Sequence, residues 1–258
     1  MQERLEARSA LLFSDVHLSE DTPLLARALV RWLTVNAITT DAPPQMLIIL
    51  GDLFEAWVGD DSLQAMEVDS AERSVIDTLA KIRNAGIGIA FMHGNRDFLV
   101  GENLLKHFDG QLLTDPALLR ITQGPSIALC HGDILCTKDQ AYQRFRAQVR
   151  NTSWQQTFLA QPLIKRQSDA QSLRETSEME KTGKSDAIMD ITVQEAVQLS
   201  ESLKANIVLH GHTHRPGVSI LPNQRPRYVL PDWKVDLQGR LVRGGGLWVD
   251  ANGVKERR

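Results

Sequence analysis

Five short apolar runs of this chain each end in side chains that can bind a metal ion. The clearest run is Leu47–Leu50, which stops at Gly51 and is followed by Asp52. Four apolar residues between Pro44 and a glycine are typical of a strand buried on both faces, and they are too few for a buried helix. Asp52 would then lie at the carboxyl end of a strand, where ligands bind in open α/β sheets. Because Gly-Asp is also ordinary turn chemistry, this run alone does not separate a site from a turn.

The same pattern occurs four more times along the chain. The five strand ends supply seven candidate metal ligands: Asp15, His17, Asp52, Asn95, His131, His210 and His212. A single histidine at a strand end is more often a satisfied core residue than a ligand, but five such ends in one chain are not a coincidence. Side chains two apart on an extended chain point the same way, so Asp15 and His17 are predicted to converge on one ion, and His210 and His212 to face one side. His214 continues the alternation, as a ligand or as a residue behind the ligands.

Seven ligands are too many for one ion with four to six ligands, and they suit two ions that share one ligand. Two divalent ions about 3.5–4 Å apart need a bridging carboxylate and lower the pKa of a shared water, so that hydroxide forms at neutral pH. Imidazole, carboxylate and amide ligands without thiolate suit Mn²⁺, Fe²⁺ or Zn²⁺ and do not choose among them. The sequence therefore predicts a two-metal centre.

Other segments predict the scaffold of this centre. Thr22–Asn36 and Ser70–Arg83 carry apolar residues at helical spacing and are predicted to pack on a sheet. Near the carboxyl terminus, three short strand-like runs separated by Pro, Asn and Gly are predicted to complete a second sheet. These runs are Val218–Leu221, Arg227–Leu230 and Leu247–Asp250.

The segment from Thr137 to Ser185 differs from the strand-rich remainder. It has helical spacing, and Tyr142, Phe145 and Val149 share one face. An apolar patch beside Lys165 and Arg166 follows, formed by Trp154, Phe158, Leu159, Leu163 and Ile164. Two interpretations stay open: a helical hairpin packed on the sheet, or a cap over the site that offers apolar surface and positive charge together. The polar stretch from Gln167 to Ser185 is predicted to be an exposed loop or short helix. The chain is accordingly divided into a core of residues 1–136 and 186–258 and an insertion of residues 137–185.

Composition narrows the class of protein. At 258 residues with 42% hydrophobic side chains, the chain can bury a large core. A net charge of -3 argues against a protein that coats nucleic acid. The amino terminus alternates charge without an apolar core, and no apolar run approaches the roughly 18 residues of a membrane span, which predicts a cytoplasmic protein, soluble or peripherally bound. Cys130 and Cys136 fit no disulfide framework and are expected to be reduced. No obligate protein partner is evident.

In chain order the five blocks are Asp-x-His, Gly-Asp, Gly-Asn-Arg-Asp, His-Gly-Asp and Gly-His-Thr-His, a set that resembles the calcineurin-like metallophosphoesterases. This resemblance implies an α/β fold, a four-layer αββα sandwich with a helical cap insertion. It also implies one ion held by Asp15, His17, Asp52 and His212. The other ion would be held by Asp52, Asn95, His131 and His210, with Asp52 as the bridge.

The residues around these blocks, above all Gly51–Asp61, resemble one branch of that family, the UDP-2,3-diacylglucosamine diphosphatases, which are peripheral membrane enzymes of lipid A synthesis. The resemblance implies that water attacks the α-phosphorus and releases UMP and 2,3-diacylglucosamine 1-phosphate (lipid X), with Mn²⁺ preferred, at the inner face of the inner membrane. Asn95 and Arg96 would be the catalytic residues. The implied substrate contacts are Asn95, Arg96, Asp139, Ser177, Lys181, Lys184 and His210. Lys181 departs from the branch, whose pattern has an amide there.

Arg96 stands where many metallophosphoesterases have a histidine. An arginine cannot act as a general acid at neutral pH. A leaving phosphate with a pKa of about 6 needs no protonation, whereas an alkoxide does, so Arg96 favours a diphosphate over a simple monoester or phosphodiester. Its guanidinium would instead neutralise charge on the phosphoryl oxygens. A nuclease or cyclic-nucleotide phosphodiesterase on the same fold is the alternative, opposed by Arg96 and by the lack of a broad basic surface. A binding scaffold that has lost its metals is opposed by the seven intact ligands.

Overall fold

The structure is a computed structural model of the 258-residue chain. It describes residues 4–182 and 190–258, with the backbone alone for residues 175–182. The predicted substrate contact Lys184 lies outside the described residues, and the side chains of Ser177 and Lys181 lie outside the description as well.

Within the described residues, fourteen strands form two six-stranded sheets and a two-stranded ribbon. In chain order the strands are β1 (Arg4–Ala7), β2 (Ser9–Phe13), β3 (Met46–Leu50), β4 (Gly88–Met92), β5 (Gln111–Leu113), β6 (Ala117–Ile121), β7 (Ser126–Leu129), β8 (Ile207–His210), β9 (Gly217–Ile220), β10 (Pro226–Val229), β11 (Lys234–Val235), β12 (Leu241–Arg243), β13 (Gly246–Asp250) and β14 (Gly253–Arg257).

The helices alternate with strands in the first half of the chain and follow one another between β7 and β8. In chain order they are α1 (Pro23–Leu33), α2 (Ser62–Ala65), α3 (Ala71–Asn84), α4 (Glu102–Lys106), α5 (Gln140–Val149), α6 (Thr152–Leu159), α7 (Leu163–Thr182) and α8 (Val193–Ser202). The two helices that apolar spacing predicted are α1, which continues as a π-helical turn over Thr34–Ile38, and α3. α3 begins after Ser70 because the side chain of that residue accepts a hydrogen bond from Arg73 N.

Parallel strands bring several chain segments to the same edge of the molecule. Sheet I has the order β1-β6-β7-β8-β10-β9, and sheet II has the order β14-β13-β2-β3-β4-β5. In sheet II, β2, β3, β4 and β5 run parallel. In sheet I, β7, β8 and β10 run parallel. The loops after these strands therefore collect at one side of each sheet.

The two sheets pack face to face, and helices cover their outer surfaces. Alternate residues of β2 separate into two cores: Ala10 and Leu12 pack between the sheets, whereas Leu11 and Phe13 pack beneath α1 and α3. α8 covers the outer face of sheet I. Because the inner strands are buried on both faces, their sequences are apolar throughout rather than alternating. The four layers confirm the predicted αββα architecture.

The carboxyl-terminal strands are divided between the two sheets. β10 pairs with β8 and β9 extends this edge, so both complete sheet I. β13 pairs with β2 and carries β14 at the edge of sheet II. The predicted runs are thus strands, but they complete both sheets rather than one.

The insertion helices, α5, α6 and α7, differ from the prediction in one respect. The stretch from Gln167 to Ser185 was predicted as a loop or short helix, but its described part, up to Thr182, belongs to α7, a helix of 20 residues that begins at Leu163. This helix is largely polar around its circumference, so apolar spacing gave no signal for its length. Phe158 of α6 is buried, whereas Ile164 at the start of α7 is 81% exposed.

Two further predictions concern the thiols and membrane spans. Cys130 and Cys136 are both free and buried, as expected. Among the described residues, no helix has the length and apolar character needed to cross a membrane.

Candidate metal centre

The candidate ligands lie in the loops that follow the parallel strands of both sheets. Asp15 follows β2 and Asp52 follows β3. These two loops are joined by hydrogen bonds from Asp15 N to Gly51 O at 3.2 Å and from Val16 N to Asp52 O at 2.8 Å. Asn95 follows β4, and His131 follows β7 of the other sheet. The two sheets therefore present their polar strand ends to one common site.

An inner cluster combines carboxylate, imidazole and amide groups. Asp15, Asp52 and His131 offer ligand atoms that all lie within 4.8 Å of one another, and the three residues are 0%, 2% and 0% exposed. His131 Nε2 lies 3.6 Å from Asp52 Oδ2 and 3.0 Å from Asn95 Oδ1. His212 Nδ1 lies 2.8 Å from the same Asn95 oxygen. These four side chains, Asp52, Asn95, His131 and His212, are called the inner cluster.

An outer cluster lies beside it, nearer to solvent. Asp15, His17 and His214 also offer ligand atoms within 4.8 Å of one another. His17 Nε2 is 3.3 Å from His214 Nε2 and 3.8 Å from Asp52 Oδ2. His214 Nε2 is 3.5 Å from Asp15 Oδ1. Because Asp52 Oδ2 faces both His17 and His131, this carboxylate lies between the inner and outer clusters.

The structure places the three carboxyl-terminal histidines differently from the prediction. His214, rather than His212, approaches Asp15 and His17, and His212, rather than His210, approaches Asn95 and His131. His210 is fully buried, with Nδ1 against Gly211 O at 2.8 Å. The prediction assumed an extended chain, but β8 ends at His210, and His212 and His214 have φ angles of 66° and 53°. The alternation that predicted the direction of side chains therefore does not apply beyond the strand.

Left-handed backbone conformations recur across the site. Asp15, His17 and Asp52 have φ angles of 54°, 59° and 52°. Such angles are uncommon for residues other than glycine and are found preferentially where surrounding structure enforces them, often at functional sites. Asp15 and His17 therefore converge because the chain turns after β2, and not because it stays extended as the sequence argument supposed.

The glycines of two blocks leave room for the carboxylates. A Cβ atom at Gly94 would lie 2.1 Å from Asp52 Oδ1, and one at Gly211 would lie 2.2 Å from Asp15 Oδ2. No side chain fits at either position without displacing a candidate ligand. The recurrent glycine before the ligand residue is thus a steric requirement of the site as well as a turn signal.

Asp97 holds the loop that carries Asp52. Its carboxylate accepts hydrogen bonds from Leu53 N at 2.8 Å, from Gly94 N at 2.8 Å and from Asp52 N at 3.2 Å. Burial, together with repulsion from Asp52, raises the pKa of Asp97 to about 6. The last residue of the Gly-Asn-Arg-Asp block therefore positions the shared carboxylate from behind.

The electrostatics of the site favour a bound cation. Burial lowers the pKa of His131, but the carboxylates of Asp52, Asp15 and Asp133 outweigh it and raise that pKa to about 9. Burial and the neighbouring His131 lower the pKa of His212 to about 4, so its imidazole is neutral and keeps a lone pair. Buried carboxylates that attract positive charge, next to neutral imidazole nitrogen, are what a divalent cation requires.

The spacing of the ligand atoms supports the same conclusion. The ligand atoms of Asp15, Asp52 and His131 lie within 4.8 Å of one another, as do those of Asp15, His17 and His214. Atoms bound to one divalent ion at about 2.0–2.2 Å lie no more than about 4.4 Å apart, which is close to that limit. Imidazole, carboxylate and amide groups suit a first-row divalent metal. The residues present fit a dimetal site with Asp52 between the two positions.

Helix α5 is bound directly to this centre. Tyr142 donates a hydrogen bond to Asp133 Oδ2 at 2.6 Å, and its ring stacks on His212 with centroids 6.2 Å apart. Arg146, one turn later, contacts Asp133 Oδ2 at 2.8 Å and Asp115 Oδ2 at 3.1 Å. Asp133 is the last residue of the His-Gly-Asp block that begins with His131, so α5 is bound to the loop that carries an inner-cluster residue.

Three carboxylates of the loop from Glu55 to Asp61 contact different parts of the molecule. Glu55 Oε2 lies 2.9 Å from His17 Nδ1, and Glu55 Oε1 lies 3.0 Å from Arg174 Nε on α7. Asp60 accepts hydrogen bonds from Trp57 Nε1 and from backbone nitrogens at the start of α4. Asp61 pairs with the buried Arg166 of α7. This acidic stretch therefore joins the outer cluster to the insertion helices.

One cavity of about 560 Å³ connects the metal centre to the insertion helices. Its lining includes the polar side chains His17, Asp52, Asn95 and Arg96, and also His212 and His214. It also includes apolar side chains of α5, α6 and α7, which are Phe145, Trp154, Phe158 and Leu173. Trp154 and Phe158 stack with ring centroids 4.9 Å apart. The cavity thus combines candidate metal ligands with apolar side chains of the insertion.

Of the other predicted substrate contacts whose side chains are described, two line this cavity and one does not. Arg96 and Asp139 line it, whereas His210 is not among its lining residues. Arg96 N donates to Asp52 Oδ1 at 2.8 Å, and its guanidinium approaches Glu55 Oε1 at 3.9 Å. The side chain of Asp139 accepts from Tyr142 N and caps α5. His214, Glu55 and Arg174 line the cavity as well, although neither Glu55 nor Arg174 was among the predicted ligands and substrate contacts.

Similarity to known proteins extends over all of these loops. A family model described as calcineurin-like phosphoesterase matches residues 9–216, which include every candidate ligand. A UDP-2,3-diacylglucosamine hydrolase of Chromohalobacter salexigens is 41% identical over 229 residues, covering 88% of this chain and 89% of that protein. A protein of the same name from Serratia proteamaculans is 40% identical over 238 residues, covering 91% of this chain and 94% of that protein.

Proposed function

Because the chain belongs to the calcineurin-like phosphoesterase family, and its relatives are UDP-2,3-diacylglucosamine hydrolases, we propose that it is a metal-dependent hydrolase of the diphosphate of UDP-2,3-diacylglucosamine. Water would attack the α-phosphorus and release UMP and 2,3-diacylglucosamine 1-phosphate. The observation that supports the proposal is a cavity lined both by the two clusters of candidate metal ligands and by apolar side chains of the insertion helices.

We assign the ligands from the observed geometry. One ion would be held by Asp15, His17, Asp52 and His214, and the other by Asp52, Asn95, His131 and His212. This assignment moves each carboxyl-terminal histidine two residues along from the one that the sequence implied. Mn²⁺ is the proposed metal, and two bound ions lower the pKa of a shared water and polarise the phosphoryl group. His210 would support the site from behind rather than bind metal or substrate.

The protein's own side chains would orient the diphosphate. Arg96 presents a permanent positive charge at the cavity wall beside the shared carboxylate, where it would neutralise charge on the phosphoryl oxygens. Asn95 Oδ1 lies 3.0 Å from His131 Nε2 and 2.8 Å from His212 Nδ1, as it would if all three atoms bound one ion, and this leaves the amide nitrogen for a phosphoryl oxygen. The leaving group is a phosphate monoester that needs no proton at neutral pH, which agrees with the lack of an acid at position 96.

The insertion helices would select the lipid part of the substrate. We propose that residues 137–185 act as a cap, because α5, α6 and α7 contribute apolar side chains to the cavity that the candidate metal ligands also line. Acyl chains would lie against Trp154, Phe158 and Leu173, and removal of their apolar surface from water would supply binding energy. Arg174, which faces both Glu55 and the cavity, adds positive charge to the lining. Contacts from Asp139, Ser177, Lys181 and Lys184 are part of the same proposal.

The same helices would make the protein's peripheral contact with the inner face of the inner membrane. Ile164 is strongly exposed, Leu159 and Leu173 are partly exposed, and Lys165 lies beside them. Exposed apolar side chains next to a cation are typical of surfaces that lie on anionic lipid. A substrate with two acyl chains would be reached more readily from such a position.

Product analysis in isotopically labelled water tests the proposed function. The Mn²⁺-loaded protein should hydrolyse the UDP-sugar lipid, and the oxygen from labelled water should appear in UMP. Label found only in the sugar phosphate would place the attack on the other phosphorus. Rapid hydrolysis of bis(p-nitrophenyl) phosphate without hydrolysis of the lipid would support a general phosphodiesterase of the same fold instead.

A further inference from the structure

The segment Leu230–Trp233 packs against the metal centre, although it lies beyond the residues that the family model matches. Leu230 N donates a hydrogen bond to His210 O at 2.8 Å, and Trp233 N donates one to Asp15 O at 3.2 Å. The indole of Trp233 packs edge-on against Phe13 and Trp32. The backbone of this segment is therefore fixed relative to both ligand-bearing sheets.

Asp232, within this segment, faces the back of His214. It is 4% exposed, and its Oδ2 lies 3.8 Å from His214 Nδ1. The other ring nitrogen, Nε2, faces Asp15 Oδ1 at 3.5 Å and His17 Nε2 at 3.3 Å. The two nitrogens of one imidazole are thus divided between the outer cluster and a buried carboxylate.

Arg243 of β12 holds this carboxylate in place. Its guanidinium pairs with Asp232 Oδ2, which offsets the cost of burying the negative charge. Asp232 Oδ1 is buried and has no hydrogen-bond partner among the described residues. An ionised carboxylate accepts several hydrogen bonds, so Asp232 retains the capacity to accept one from His214 while paired with Arg243.

We propose that Asp232, held by Arg243, is a positioning residue that orients His214 toward the outer metal position. A carboxylate acceptor at Nδ1 keeps the proton on that nitrogen and leaves the Nε2 lone pair for an ion. The two histidines that face Asp52 also have an oxygen near their other ring nitrogen, at a shorter distance than the 3.8 Å between Asp232 and His214. His17 Nδ1 faces Glu55 Oε2 at 2.9 Å, and His131 Nδ1 faces Leu50 O at 2.8 Å. Asp232 is the corresponding acceptor for His214 Nδ1.

Metal binding to the full-length, metal-free protein tests the inference without any substrate. Mn²⁺ would be titrated into the wild type and the Asp232→Asn variant, and the free ion followed by electron paramagnetic resonance. One of two sites should bind Mn²⁺ about 10–100-fold more weakly in the variant, while the other keeps its affinity. Asp236→Asn is the matched control, because Asp236 lies nearby and pairs with the exposed Arg240. It should leave both affinities unchanged.

Two results would overturn the inference: unchanged affinity at both sites in a folded Asp232→Asn variant, or an equal loss in the Asp236→Asn control. If the Asp232→Asn variant does not fold, Arg243→Lys decides the question. It keeps the positive charge but loses the guanidinium geometry, so weaker binding at one site is expected, and unchanged binding would contradict the proposal. The inference rests on the proposed metal centre, but it would survive a failure of the lipid assay, since only metal is titrated.

Discussion

The metal centre and the insertion helices α6 and α7 are held in place by different kinds of contact. At the centre, the inner-cluster carboxylate Asp52 is buried, its loop is hydrogen-bonded to that of Asp15, and Asp97 fixes it from behind. α6 and α7 instead contact the core through a few ionic pairs, such as Arg166 with Asp61. Their apolar contact is made by the buried Phe158, with the partly buried Trp154 and Leu163 packed against the same core. α5 belongs with the first group, since Tyr142 and Arg146 bind the loop after β7.

This difference matches two tasks. Positioning of reacting groups needs a geometry that tolerates little displacement, which the strained and densely hydrogen-bonded loops provide. Accommodation of flexible acyl chains needs apolar area more than exact geometry, which two helices with few anchors provide. Substitutions at the centre should therefore affect turnover, and substitutions in α6 and α7 should affect apparent substrate affinity.

The largest effect is expected at the shared carboxylate. Asp52→Ala should lower turnover by at least about 10³-fold, because both proposed ions lose a ligand. This is more than the loss of a single transition-state contact. Steady-state kinetics measures this, and circular dichroism should show that the fold is retained. Asp77→Ala on the surface of α3, which removes a carboxylate from an exposed pair with Arg73, should change neither property. Near-normal turnover of the Asp52→Ala variant would remove the assignment of Asp52 as the bridge.

The next effect is expected at the anchor of α7. Arg166 is 1% exposed and contacts Val58 O, Gln161 O and Asp61, so Arg166→Met removes several contacts at once. KM for the lipid substrate should rise about tenfold, equivalent to roughly 1.4 kcal/mol, while kcat changes little. Lys165→Met is the matched control, since the adjacent Lys165 is exposed and pairs only within α7 with Asp169. A fall in kcat without a change in KM would show that α7 serves the metal centre.

A smaller effect is expected at the apolar wall that α6 and α7 contribute to the cavity. Trp154→Ala removes an aromatic stack with Phe158 and should raise KM about fivefold for a long-acyl substrate, equivalent to roughly 1 kcal/mol. Phe158→Ala should act in the same direction. Neither change should affect a deacylated substrate, and Ile164→Ala, at a strongly exposed position, should affect neither substrate in detergent solution. Equal effects on acylated and deacylated substrates would mean that this wall has only a packing role.

The sequence predicted the two regions unequally, for physical reasons. Leu47–Leu50 predicted a buried strand with Asp52 at its end, because apolar runs and strand-end chemistry are local properties. The order of His210, His212 and His214 was not predictable from alternation, because the chain leaves the extended conformation after β8. The length of α7 was not predicted, because its residues are mostly polar and give no apolar spacing. Asp232 carried no signal, since its role depends on Arg243 and His214, which contact it only in the folded protein.

The smallest effect is expected outside both regions, at Glu72 of α3. Burial raises its pKa, as do Glu20 and Asp21, against a hydrogen bond from its own backbone. A raised folded-state pKa means that the protonated form stabilises the fold at low pH and that this contribution is lost as pH rises through the folded pKa. Glu72→Gln should therefore be more stable than the wild type at pH 7, by less than about 1 kcal/mol, and the gain should vanish below about pH 4.

Thermal unfolding of both proteins across that pH range measures the Glu72 effect. A gain that persists at low pH would show that the charge is not its cause.

Anomalous diffraction from Mn²⁺-loaded crystals would locate the proposed ions directly. We expect two manganese peaks about 3.5–4 Å apart with Asp52 between them, His214 bound to one ion and His212 bound to the other. A single peak, or an ion bound by His210, would contradict this expectation.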